Sequence, residues 1–256
     1  MRLRGKKGIR ETLEQQPDLV VLQPSDWKGR WAEFFGNDRP IHVELGMGKG
    51  KFISELSAAN PHINYIGVDM YDELLRKASG KVAQAHGAAG SEQEGAASEG
   101  SPGKRNIVLA LMNIERLEEA FAENELERIY LNFSDPWPKT KHHRRRLTHP
   151  DFVRRYLKVL NDRGQVHFKT DSRILFEFSL NSFADMGLRM RNISLDLHAD
   201  GLRDDLVPTE YELKFHEQGM PIYRCEVVIG KDALKEHEEA LAGGGASSSR
   251  PKQADR

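Results

Sequence analysis

Residues 41–59 read IHVELGMGKGKFISELSAA, and the fold is decided there. Ile41-His42-Val43-Glu44-Leu45 has the β-branched and aliphatic content of a strand. Gly46, Gly48 and Gly50 follow at once, and Lys51 to Ala59 reads as a helix. Glycines at such a junction permit a tight turn and let backbone pass close to a ligand. The spacing is not the dinucleotide fingerprint G-x-G-x-x-G, because the third glycine falls one position early. It is not a P-loop either, which needs G-x-x-x-x-G-K-[ST]. Strand, glycine turn and helix in succession nevertheless mark the start of an open α/β sheet.

Working outward, the next strand is Asn64 to Val68, closed by Asp69. An acid some twenty residues beyond the glycines is placed to accept from ribose hydroxyls. It is equally placed to cap a helix over Tyr71–Ala85, and the two roles are compatible. A third strand, Ile107–Leu111, leads to Asn113, which reads either as an adenine contact or as a plain cap. A helix bearing Leu117, Phe121 and Leu126 is expected next. Residues 87–103, GAAGSEQEGAASEGSPG, hold twelve Gly, Ala or Ser among seventeen and no large apolar side chain. That stretch is expected to be a disordered insertion, since it cannot bury enough surface to offset its ordering entropy.

The stretch around which the chemistry gathers is RIYLNFSDPWPKTKHHRRRL, Arg128 to Leu147. It begins as a buried strand through Phe133 and breaks at Ser134-Asp135-Pro136-Trp137-Pro138, where two prolines end ladder pairing and stiffen the chain. Lys139, Lys141, Arg144, Arg145 and Arg146 follow. A carboxylate and an indole at a strand's carboxyl end, beside dense positive charge, suggest chemistry on a nucleic-acid base. Beyond it come a helix Pro150–Leu160, a turn Asn161–Gly164 and a strand Gln165–Phe168 that ends in Lys169-Thr170-Asp171. A helix Ser172–Met186 and two late strands, Met190–Leu195 and Ile222–Ile229, complete the pattern. It predicts one α/β domain, residues 41–230, with a doubly wound, mostly parallel seven-stranded sheet and helices on both faces. Residues 1–40 read as a basic N-terminal extension packed on that domain, and 231–256 as a polar, largely disordered tail.

Composition sets the setting. The net charge is −1 over 256 residues, yet residues 1–10 carry five cations and no acid, as do residues 139–146. The basic surfaces are local. A single cysteine excludes an intramolecular disulfide framework, and Cys225 within the last strand reads as core. No apolar run approaches the ~20 residues that cross a bilayer, and no signal-peptide core follows the basic start. A soluble, cytoplasmic protein without a metal site is expected, since no His/Cys cluster has ligand spacing.

The E-x-G-x-G-x-G run from Glu44 resembles the first motif of class I S-adenosylmethionine-dependent methyltransferases. YLNFSDPWPK with the following His-rich basic run and RRRLT closely resembles the bacterial tRNA (guanine-N7)-methyltransferases. HFKTD at 167–171, PTEYE at 208–212, the Tyr223-Arg224 strand and ELGMGKGKF match that family too. The resemblance implies a Rossmann-like class I methyltransferase fold. It implies transfer of a methyl group from S-adenosylmethionine to N7 of a guanine in the tRNA variable loop, position 46 in tRNA numbering. Donor contacts are implied for Glu44, Gly46, Gly48, Asp69, Asn113 and Asp135, with Asp135 the catalytic position. Guanosine contacts are implied for Lys139, Asp171, Thr209, Glu210, Tyr211 and Glu212. A monomer or homodimer without an obligate protein partner is expected. Met47 stands where the family usually has Ser or Thr, and Asn113 replaces a usual Asp.

Guanine N7 carries a free lone pair and needs no deprotonation before attack. The site is therefore expected to work by positioning and by carboxylates near the migrating charge. Three rivals are weaker. A methyltransferase for exocyclic amines would use D-P-P-aromatic in place of D-P-W-P. A purely RNA-binding protein has no need of Glu44, Gly46, Gly48 and Asp69 together. A nicotinamide oxidoreductase is disfavoured by the glycine spacing.

Overall fold

Strand β2 (Ile41–Leu45) lies at the heart of the sheet and is buried on both faces, even though two of its five residues, His42 and Glu44, are polar. Ile41, Val43 and Leu45 point into one layer, while His42 and Glu44 point into the other. The structure is a computed structural model that describes residues 8–92 and 105–243. From β2 the chain runs through α3 (Lys51–Ala59), β3 (Asn64–Asp69), α4 (Asp72–Glu92) and β4 (Ile107–Leu111) to one side. It then passes α5 (Leu117–Ala120) and adds β5 (Leu126–Asn132), α6 (Pro150–Val159), β6 (Leu160–Thr170) and α7 (Arg173–Asp185) on the other. An antiparallel pair, β7 (Arg189–Ser194) and β8 (Tyr223–Val228), closes that side, with α8 (Glu210–Glu217) between them in sequence.

The strand order is β1-β4-β3-β2-β5-β6-β8-β7, so among the described residues the sheet has eight strands and not the seven expected. The extra strand, β1 (Val20–Val21), comes from the N-terminal segment and pairs parallel beside β4, Val20 opposite Leu109. Leu19, Val20 and Val21 are all buried, so this apolar piece covers the sheet edge. Helix α1 (Ile9–Glu14) packs Ile9 and Leu13 against α4. In α2 (Trp31–Phe35) the Trp31 indole donates to the Ala120 carbonyl at 2.9 Å and its ring stacks on Phe121. Among the N-terminal cations, Arg2, Arg4, Lys6 and Lys7 lie outside the described residues.

Four boundaries differ from the sequence expectation. The helix expected to end at Ala85 continues as α4 to Glu92, into the 87–103 stretch, because extending an existing helix costs far less than starting one and alanine favours it. Residues 93–103 lie outside the described residues. Helix α5 makes one turn only. Asn124 turns the chain at φ +60°, and Leu126 belongs to β5. There the Glu125 carboxylate accepts from Ala122 and Gly29 backbone N–H groups at 2.8 and 3.0 Å. The expected turn at Asn161–Gly164 is a bulge in β6, for Leu126 pairs with Leu160 but Arg128 with Gln165. Finally α9 (Lys231–Gly243) occupies the start of the expected tail, anchored by buried Ala233 and by Arg163–Glu236 at 3.1 Å. Alanine, glutamate and lysine are strong helix formers. Residues 244–256 lie outside the described residues.

Met47, in the glycine turn, is buried and fills the space over Gly67 in β3. A Cβ at Gly67 would meet the Met47 Sδ at 2.5 Å and Ile53 Cγ2 at 3.2 Å. Gly67→Ala should therefore lower unfolding free energy by about 1–3 kcal/mol through overpacking. The cost should shrink in a Met47→Ala background, measured by urea denaturation of all four proteins. An equal cost in both backgrounds would contradict this packing account.

Candidate active site

The chain reverses its direction across the sheet between β2 and β5, and there the carboxyl ends of the strands part to form a crevice. It is a cleft of about 570 Å³. Its near side is the glycine turn, with Gly46, Gly48 and Gly50 at φ +83°, +59° and +78°. These left-handed values explain the three glycines. The Asp69 carboxylate holds the turn in place, accepting from Gly48 N–H at 3.1 Å. It also accepts from Met70 and Tyr71 N–H at 2.7 and 3.2 Å, capping the approach to α4. Burial pushes the Asp69 pKa up, against the opposing effect of those three donors. Asn113 lines the same cleft, and its side-chain oxygen accepts from Glu115 N–H at 3.0 Å. It caps the short 3₁₀ turn Ile114–Arg116 that opens there.

Glu44 stands behind this wall. Its Oε1 accepts from the Asn132 amide at 2.9 Å, while Oε2 is buried without a hydrogen-bond partner among the described residues. Burial pushes the carboxyl up to about 8, partly opposed by Asn132 and by the Lys169 cation.

The opposite wall is the Ser134–Pro138 turn after β5. Phe133 just before it and Trp137 within it sit at φ +51° and +41°, backbone angles that cost of order 1–3 kcal/mol each for such residues. Asp135 is exposed between them and faces the cleft. The Arg145 guanidinium lies 4.9 Å from the Trp137 ring centre, and both line the cleft. Phe133 packs near Tyr211 and Phe215, with centroids 6.0 and 5.9 Å apart. An aromatic wall of Phe133, Trp137 and Tyr211 thus adjoins an exposed carboxylate. Sequence reasoning missed Phe133, which it read only as strand.

A cap closes the cleft from the side. Thr209 accepts from Glu212 N–H at 3.0 Å and Glu212 accepts from Thr209 N–H at 3.2 Å, a reciprocal capping box at the start of α8. The fully buried Glu212 also takes Lys169 Nζ at 2.5 Å and lies 2.7 Å from His198 Nε2. Glu210 reaches Lys49 of the glycine turn at 3.0 Å and Lys81 of α4 at 3.9 Å. Of the four positions, Thr209 and Glu212 build the cap, Glu210 ties it down, and Tyr211, 57% exposed, lines the cleft.

The remaining positions lie at the rim. Lys139 is exposed and opens a 3₁₀ turn, Thr140–Arg145. Asp171 is half-buried just past the carboxyl end of β6, beside the β5 terminus, and does not line the cleft. The basic run is not uniformly exposed, because Arg146 is 1% accessible and turned inward. Cys225 is buried in the core, where its thiol is pushed up to about 12. Among the described residues no group of three or more His, Cys, Asp or Glu could hold a metal ion. No described helix is long and apolar enough to cross a membrane.

Residues 38–225 match the model of a putative methyltransferase family. A tRNA (guanine-N(7)-)-methyltransferase of Streptococcus sanguinis (strain SK36) is 46% identical over 229 residues, covering 90% of this chain and all of the relative. The protein of that name from Geobacillus sp. (strain WCH70) is 48% identical over 227 residues, 89% of this chain and 95% of its own. The chain belongs to the tRNA (guanine-N7)-methyltransferase family.

Solved structures agree on the fold. The 16S rRNA (adenine(1408)-N(1))-methyltransferase from Catenulisporales acidiphilia superposes with TM-score 0.52 at 16% identity, covering 83% of this chain and 95% of its own. An antibiotic-related methyltransferase gives 0.52 at 17% identity, covering 83% and 96%. The methyltransferase reading fits the residues present. Enzymes of this kind draw the methyl group from S-adenosylmethionine, and the glycine turn of the cleft follows directly on Glu44, a buried carboxyl whose Oε2 has no hydrogen-bond partner among the described residues. Neither departure from the family pattern obstructs it, since Met47 points into the core and Asn113 keeps its amide at the cleft.

The cap depends on a buried ion pair. Lys169→Met should lower stability by about 3–5 kcal/mol, because it leaves the Glu212 carboxylate without its counter-charge. The double variant Lys169→Met/Glu212→Gln should recover most of that loss in a denaturant titration. Equal losses in single and double variants would show that the charge of Glu212 is not what Lys169 compensates.

Proposed function

We propose that this enzyme transfers the methyl group of S-adenosylmethionine to N7 of a guanine in the tRNA variable loop. The observation that carries the reading is one cleft with two unlike walls: a carboxylate-braced glycine turn on one side and an exposed Asp135 among aromatic rings on the other. The first suits an adenosyl group and the second a base stacked out of its helix. The relatives' shared name supports the same activity.

The chemistry asks little of a base. The N7 lone pair forms the new bond to the methyl carbon, and the carbon–sulfur pair departs with sulfur. Positive charge passes to the imidazole ring of guanine and no proton moves. In this reading Gly46, Gly48, Asp69 and Asn113 orient the donor, with Glu44 behind them. Asp135 lies where positive charge develops and favours its arrival electrostatically. Tyr211 and Trp137 hold the base, and Lys139 and Asp171 contact the nucleoside from the rim. The exposed cations of the basic run meet phosphates, which makes binding salt-sensitive. We place the reaction in the cytoplasm, carried out by a monomer or homodimer without an obligate protein partner.

The test uses labelled S-adenosylmethionine, total tRNA and the wild type beside Asp135→Ala, with nucleosides identified after digestion. N7-methylguanosine is expected from the wild type, with a turnover at least about 100-fold lower in the variant. Methylation at another atom would sink the substrate assignment.

A further inference from the structure

Arg146 belongs by sequence to the cationic run, yet it cannot meet a phosphate. Its side chain is almost wholly buried, and its partners among the described residues are two backbone carbonyls and an aromatic ring, with no carboxylate. The guanidinium turns inward instead. Nε donates to the Pro136 carbonyl at 2.9 Å and Nη2 to the Trp137 carbonyl at 3.2 Å. Its carbon lies 4.4 Å from the centre of the Phe178 ring on α7. Arginine's planar fork can reach two successive carbonyls and lie on an aromatic face at once, which a lysine ammonium cannot do.

Those two carbonyls follow Asp135 directly. At its start the turn is fixed by Phe133 N–H donating to the Lys169 carbonyl at 2.9 Å. At its end lie two prolines without N–H groups and Trp137 in a left-handed conformation, so the local backbone supplies little of its own restraint. Arg146 provides the restraint from ten residues away.

We propose that Arg146 is a positioning residue, which fixes the Asp135–Trp137 turn in its strained shape and so aims the Asp135 carboxylate and the Trp137 ring into the cleft. The proposal rests on the reading of that turn as the reaction site. Arg146 touches neither substrate. Its contribution lies in the rate of methyl transfer and not in affinity for tRNA, in contrast to the exposed cations beside it.

Single-turnover methyl transfer with saturating donor and tRNA separates these roles. Arg146→Lys should slow the step by about 100-fold, the scale of a misplacement near 1 Å, with both dissociation constants within about threefold of wild type. Arg146→Gly should be slow as well, and added methylguanidinium should restore at least part of its rate. A wild-type rate in Arg146→Lys overturns the proposal. So does a defect confined to tRNA affinity, which would make Arg146 a phosphate contact. If neither variant folds, Phe178→Leu withdraws the ring and leaves both hydrogen bonds. A severalfold slower step then supports the proposal, and an unchanged rate overturns it. Asp135→Ala, run beside them, fails differently: a wild-type rate there would remove the reaction site from this turn altogether.

Discussion

The glycine-turn side of the cleft depends on one carboxylate. Asp69 ends β3 and spends its lone pairs on three backbone N–H groups, one from the glycine turn and two from the approach to α4. It therefore locks two strand-to-helix junctions together at the place where the sheet changes direction. Without that link the glycine turn would have all the freedom that left-handed glycines allow. The rest is stacked upon it. Lys49 leaves the fixed turn and holds Glu210, and through Glu210 the cap stands over the cleft.

The opposite wall is organised by strain rather than freedom. Phe133 and Trp137 adopt angles that side-chain-bearing residues avoid, and they persist because neighbours hold them: β6 at one end and Arg146 at the other. The proposed chemistry explains why rigidity matters there. A nucleophile with a free lone pair needs alignment and a favourable field more than a proton acceptor, and both are geometric demands.

Much of this was legible in the sequence because it is local. Ile41–Leu45, Lys51–Ala59 and Ile107–Leu111 were expected with the ends they have, since apolar runs bounded by glycine or polar residues leave little choice. Asp69 could be assigned to both cap and cleft from its place after a strand. What escaped depends on distant partners. Val20–Val21 becomes a strand only because β4 offers it an edge. Nothing in three successive arginines says that Arg146 is the buried one, for Phe178 lies far along the chain. Thr209-Glu210-Tyr211-Glu212 did carry a local signal, since a Thr with Glu three residues later marks a capping box. What the sequence does not show is that the fold also gives those side chains three different structural tasks.

The most direct test of the account is calorimetric titration of S-adenosylmethionine into the wild type and into Asp69→Ala. The account predicts one saturable site in the wild type, and at least about tenfold weaker binding in a variant that still unfolds cooperatively, since hydrogen bonds to a charged group of this kind contribute on the order of 1.5–3 kcal/mol. Equal affinity in both proteins would contradict it, because the donor would then be held somewhere other than the turn that Asp69 braces.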